Sequence, residues 1–190
     1  MSLLVIGLVL FLAVHSISII SWRWRDRMAA AMGEMPFKGL YGLISILGLV
    51  LIVIGYGQAR MQPVVLYQPP EFLRHLTMLL MLIAFPALLA AYLPGRIQGL
   101  LKHPMLVAVK AWALAHLLSN GMLADVLLFG GFLVWAVANR ISLGRRPDRD
   151  VPQLPAGAFN DVIVIAGGLG LYVAFAFWLH PLLFGVPVVR

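Results

Sequence analysis

Uncharged apolar stretches alternate along this chain with short charged clusters, and the stretches are long. Residues 1–22, 39–59, 75–95 and 162–189 contain no Asp, Glu, Lys or Arg. Each reaches the roughly 18–20 apolar residues that a helix needs to cross about 30 Å of hydrocarbon. Lipid offers no partner to an unpaired backbone amide or carbonyl, so helix is the state predicted for all of them. The pattern predicts an all-α, polytopic membrane bundle of about six transmembrane helices, forming one domain over residues 1–190.

The spans fall at about 2–21, 39–57, 72–93, 104–119, 122–139 and 161–184. The first is followed, not preceded, by its basic cluster, Trp22-Arg23-Trp24-Arg25-Asp26-Arg27. That order is the reverse of a cleaved secretory signal and predicts a retained anchor whose amino terminus faces outward. Pro104 suits the first turn of a helix, where its missing amide proton matters least. The apolar run 105–139 is too long for one span, and Ser119-Asn120-Gly121 supplies a turn between two short ones that can lie slightly below the membrane surface.

Basic residues orient the bundle. Arg23, Arg25, Arg27, Lys38, Arg96, Lys102, Arg140, Arg145, Arg146 and Arg149 fall on one side, whereas Arg60, Arg74 and Arg190 fall on the other. The positive-inside rule puts the first group in the cytoplasm and both termini in the periplasm of a bacterial inner membrane. Composition agrees with a lipid environment: 62% of the 190 residues are hydrophobic and 11% charged, with a mean hydropathy of +0.97. The net charge of +7 is explained by these loops and does not call for nucleic acid. The absence of cysteine removes disulfides, zinc–thiolate sites, iron–sulfur clusters and covalent c-type haem.

An ionisable group inside a span costs about 2.5–3.5 kcal/mol on insertion scales, so each one calls for a function. The candidates are His15, His75, Lys110, His116, Asp125, Asp161 and His180, with His103 at an interface. A neutral imidazole has a nitrogen lone pair suited to haem iron and other metals, and it also serves as an interhelical hydrogen-bonding group. Both roles are open for His15 and His116 on pattern alone. Trp112, one turn before His116, shares its face. His75 and His180 read as interfacial. Lys110 can pair with Asp125, meet a haem propionate, or snorkel to the surface. Gly42, Ser45, Gly48 and Gly55 recur at helical spacing and predict a small-residue packing seam, with Gly130-Gly131 and Gly167-Gly168 in the same role.

Several segments carry a family resemblance. Ala13-Val14-His15-Ser16, Gly39-Leu40-Tyr41, Arg74-His75-Leu76 and above all His103-Pro104-Met105, Trp112-Ala113-Leu114-Ala115-His116-Leu117-Leu118-Ser119-Asn120-Gly121 and Phe129-Gly130-Gly131-Phe132 resemble the NnrU family over nearly the whole chain. That family is associated with denitrification and is related to a plant 15-cis-zeta-carotene isomerase that uses haem b. The resemblance implies that His15 and His116 ligate haem iron, with His75 as the runner-up ligand. The isomerase has a cysteine three residues before its second histidine. This chain has Ala113 there, which makes ligand switching by that thiolate impossible.

Three functions follow as expectations. The first is a haem b protein of nitrogen-oxide metabolism, held by His15 and His116, with Trp112 packing nearby, Lys110 or an arginine available to the propionates, and nitric oxide as a possible ligand. The second is a haem-dependent cis–trans isomerase of a hydrophobic polyene. The third is a scaffold or transporter without haem.

Overall fold

A computed structural model describes residues 1–147 and 153–189; Arg149 and Arg190 of the charge count lie outside them. Among the described residues the regular elements are all helices. Its elements are α1 (Ser2–Met32), α2 (Glu34–Met61), α3 (Leu73–Ala90), the short α4 (Arg96–Leu101), α5 (Pro104–Ser119), α6 (Leu123–Leu143) and α7 (Asn160–Phe184). Pro104 opens α5, where its ring costs no hydrogen bond. Within α7 the stretch Phe175–Leu179 is π-helical.

Among the described residues five helices are long and apolar enough to cross a membrane: α1, α2, α3, α6 and α7. The sixth predicted span is α5, which has 16 residues and at 1.5 Å per residue covers about 24 Å. Val65 and Met122 form an isolated antiparallel bridge, so α2 ends and α6 begins on one side of the first unit. Large apolar side chains such as Leu43, Ile46 and Val53 face outward, as they do when the solvent is hydrocarbon. These observations make the chain a multi-pass membrane protein.

Two compact units emerge from the packing, one from the described parts of residues 1–71 and 116–148, the other from those of 72–115 and 149–190. In the first unit α1 and α2 form an antiparallel hairpin joined by Gly33 alone, whose φ of +87° suits only a residue without a side chain. Apolar surface cannot drive helices together in lipid, so small residues that let backbones approach do the work. A Cβ on Gly7 would fall 2.6 Å from the Ile52 nitrogen, one on Gly48 would fall 2.9 Å from the Phe11 nitrogen, and one on Gly55 would overlap the Leu4 nitrogen. The predicted seam is thus present at Gly48 and Gly55 but not at Gly42, beside which nothing lies within 4 Å. Ser45 bonds its own helix at Tyr41 O, 2.7 Å away. Gly7, the complementary notch on α1, is a further member.

Helix α1 breaks at Ser21, with φ −153° and ψ 90°. The Trp24 amide donates to Ser21 Oγ at 3.3 Å, which caps a short second segment bearing the tryptophans and arginines. Helix α6 lies parallel to α1, with Phe132 against Phe11 and Trp135 against His15.

In the second unit α3 and α7 run antiparallel. Gly168 seats on the Pro86 backbone, where a Cβ would fall 2.6 Å from Pro86 Cα, and Gly167 meets Leu89. Replacing Gly55 by Leu should cost about 1–3 kcal/mol or more through overpacking and lower the yield of folded protein. Gly42→Leu should leave thermal unfolding in detergent near that of the parent.

Candidate functional site

His15 is held in an aromatic cage in the first unit. Its Nδ1 lies 2.7 Å from the Phe11 carbonyl one turn earlier, and because a carbonyl can only accept, Nδ1 carries the proton. The Nε2 lone pair is therefore the chemically available group of the ring. Phe11 stacks on the imidazole with centroids 4.1 Å apart. Tyr41 of α2 meets it edge-on at 5.1 Å, and Trp135 of α6 at 6.1 Å. The fold thus joins two segments that carry the family resemblance, Ala13–Ser16 and Gly39–Tyr41. The Trp135 indole N–H is buried and has no partner among the described residues.

His116, near the end of α5, packs against α6, stacked on Phe129 at 4.4 Å. Phe129, Phe132 and Trp135 form one stripe along α6, and their partners are His116, Phe11 and His15 in turn. His116 and His15 are therefore separated by six residues of α6, about 9 Å along its axis. Trp112 and Lys110 belong to the second unit and are half-buried. His75, also in that unit, is exposed in the first turn of α3, its Nδ1 3.3 Å from Phe72 O. His180 donates from Nδ1 to Val186 O at 2.7 Å and rests on Phe184.

The intramembrane carboxylates have structural partners. Asp125, 2% exposed, accepts from the Tyr56 hydroxyl at 2.6 Å and from the Met122 amide at 3.0 Å. Those are the contacts that hold it. Asp161 accepts from the Arg96 and Ile97 amides at 3.1 and 3.0 Å, capping the start of α4. Its neighbour Asn160 donates to Pro94 O at 2.8 Å and to Pro155 O at 3.1 Å.

Beside the α5–α6 turn, the loop that follows α2 folds in. The Leu66 and Tyr67 amides both donate to Gly121 O, at 2.8 and 3.2 Å, and the Leu123 amide donates to Val64 O at 2.8 Å. The Tyr67 hydroxyl donates toward Leu117 O and Asn120 O. Burial, and then the nearby Asp125 charge, raise the Tyr67 pKa above its ordinary value, which keeps it a donor. Gly121 is obligatory here, because a Cβ would overlap the Tyr67 carbonyl.

The family model for NnrU protein matches residues 3–188. The chain belongs to the NnrU family. It is also similar to an undecaprenyl-diphosphatase of Sorangium cellulosum (strain So ce56), 33% identical over 135 residues that make up 70% of this chain and 37% of that protein. The chain therefore spans little more than a third of that relative's length. No solved structure matches it.

What can this NnrU-family site hold? Among the described residues no three His, Asp or Glu side chains converge as a metal cage. A porphyrin brings its own four nitrogens and asks the protein for one or two axial ligands and an apolar, flat-walled surround. His15 fits that demand. Its protonated Nδ1 is anchored on a backbone carbonyl, the usual second contact of a ligating histidine, and its walls are aromatic. Of the cage, Phe11 was recoverable from sequence, one turn before His15, whereas Trp135 comes from a distant helix and has no local signature. Removing the Tyr56 hydroxyl with Tyr56→Phe should destabilise the protein by about 1–3 kcal/mol, because a buried carboxylate loses a donor. Chemical denaturation in mixed micelles would measure it, and Asp125→Asn should cost less than Asp125→Ala.

Proposed function

We propose that this protein binds one haem b in the membrane, with His15 as an axial ligand through Nε2 and His116 as the second. The single observation that carries the reading is the Nδ1 contact of His15 with Phe11 O at 2.7 Å inside an aromatic cage. It supports a fixed tautomer whose lone pair is directed away from the helix backbone. Bound haem supplies one-electron redox chemistry and, where one axial position is exchangeable, a site for a small ligand such as nitric oxide. The chain's own residues orient the imidazole, exclude water from it with Phe11, Tyr41 and Trp135, and offer a donor in the Trp135 N–H. Family membership supports a setting in nitrogen-oxide metabolism in a bacterial inner membrane, with the basic ends of the helices in the cytoplasm.

The similarity to an undecaprenyl-diphosphatase favours a second reading, in which the molecule handled is an isoprenoid lipid. A polyene isomerase is the haem-dependent form of that idea. It would have to work without a thiolate, since Ala113 is fully buried at the position in question and the chain has no cysteine.

Optical spectra of the detergent-purified protein, oxidised and then reduced with dithionite, test the haem. A Soret band with sharp reduced α and β bands is expected, lost in His15→Ala. Bis-histidine ligation predicts a shifted, weaker spectrum in His116→Ala, whereas an unchanged one assigns His15 as the sole protein ligand. A colourless protein after expression with ample haem would leave the histidines as packing groups.

A further inference from the structure

One polar atom beside the His15 cage has no use within the fold. The Trp135 indole N–H is buried, and among the described residues nothing accepts from it. An indole nitrogen can only donate, and a buried donor left without a partner costs about 1–3 kcal/mol. The position therefore calls for an acceptor that arrives with whatever occupies the cage. Trp135 stands against the imidazole itself, with ring centres 6.1 Å apart and planes at 86°.

Depth narrows the kind of acceptor. Along α6 the aromatic stripe runs Phe129, Phe132, Trp135, so Trp135 is its member nearest the basic end, and Arg140 follows in the last turn of the helix. On α1, His15 stands six residues before the break at Ser21, beyond which come Arg23, Arg25 and Arg27. A negative charge is costly at the centre of a bilayer and costs least toward such a boundary. An anionic acceptor therefore suits this end of the cage.

Haem offers few acceptors to choose from. Its four pyrrole nitrogens face the iron. A small ligand on the iron opposite His15 is separated from Trp135 by the porphyrin plane, because Trp135 packs on the His15 side. The propionate carboxylates at the porphyrin edge remain.

We propose that Trp135 donates its indole N–H to a haem propionate. The proposal rests on the haem reading with His15 as ligand and adds a positioning residue to it. A hydrogen bond to an ionised carboxylate is roughly twice as strong as one between neutral groups. Since Trp135 is on α6 and His15 on α1, it fixes the rotation of the porphyrin about the bond from His15 to iron.

Porphyrin transfer from the loaded full chain to apomyoglobin tests it, with haem compared with iron etioporphyrin, which has no carboxylates. Trp135→Phe keeps the aromatic wall and removes the N–H. It should speed haem loss roughly tenfold, as expected for one hydrogen bond to a charged group, and change loss of iron etioporphyrin less than about twofold, since the two changes then act on one contact. In ultraviolet resonance Raman spectra, the Trp135 indole band, isolated by subtracting the variant, should move to its hydrogen-bonded position with haem and not with iron etioporphyrin. Equal acceleration for the two porphyrins, or an indole band that haem leaves in place, would overturn the proposal, and a Soret band lost in His15→Ala would leave the haem reading standing. A chain without any Soret band would overturn both.

Discussion

Inside hydrocarbon an unpaired backbone amide or carbonyl has no solvent to turn to, and this chain meets that constraint with specific side chains at the turn from α5 to α6 and at the start of α4. Helix α5 has 16 residues, so its turn into α6 cannot be assumed to reach water. The loop that follows α2 closes over it. Gly121 O takes two amides from that loop, and the Tyr67 hydroxyl serves carbonyls at the end of α5. Met122 finds the Asp125 carboxylate for its amide, and Tyr56 holds that carboxylate in turn. In the second unit Asp161 and Asn160 do the equivalent at the start of α4 and at Pro94. Asp125 and Asp161 are thus turn-forming groups.

His15 contrasts with them. One of its nitrogens bonds the helix backbone, and the ring then sits among Phe11, Tyr41 and Trp135. With Nδ1 protonated, Nε2 keeps its lone pair. That arrangement rests on the glycine seam. Gly7, Gly48 and Gly55 bring α1 and α2 to backbone contact, and this close approach sets Tyr41 against the histidine.

Much of the architecture was legible in the sequence, for a plain physical reason: crossing a membrane demands length and apolarity, and both are local. The Ser119–Gly121 turn, the Pro104 helix start and the kinship with NnrU proteins could likewise be read from contiguous residues. What could not be read were pairings across the fold. Asp125 finds Tyr56, 69 residues earlier, and nothing in either neighbourhood announces it. Gly42 shares the spacing of Gly48 and Gly55 yet faces open space, because a helix has two sides and periodicity alone does not say which side meets a neighbour. The first helix continues beyond its span to Met32 with a break at Ser21, since Trp and Arg support an interfacial helix as readily as a loop.

The central claim is that His15 presents a nitrogen lone pair to a haem iron. Pulsed electron paramagnetic resonance of the ferric protein, grown with ¹⁵N-labelled histidine, tests it most directly by detecting nitrogen coupled to the iron electron spin. The account predicts an imidazole ¹⁵N coupling in wild type, and in His15→Ala its loss or reduction to a single ligand's signal. A haem-loaded protein whose imidazole coupling is absent, or is untouched by that substitution, would contradict it.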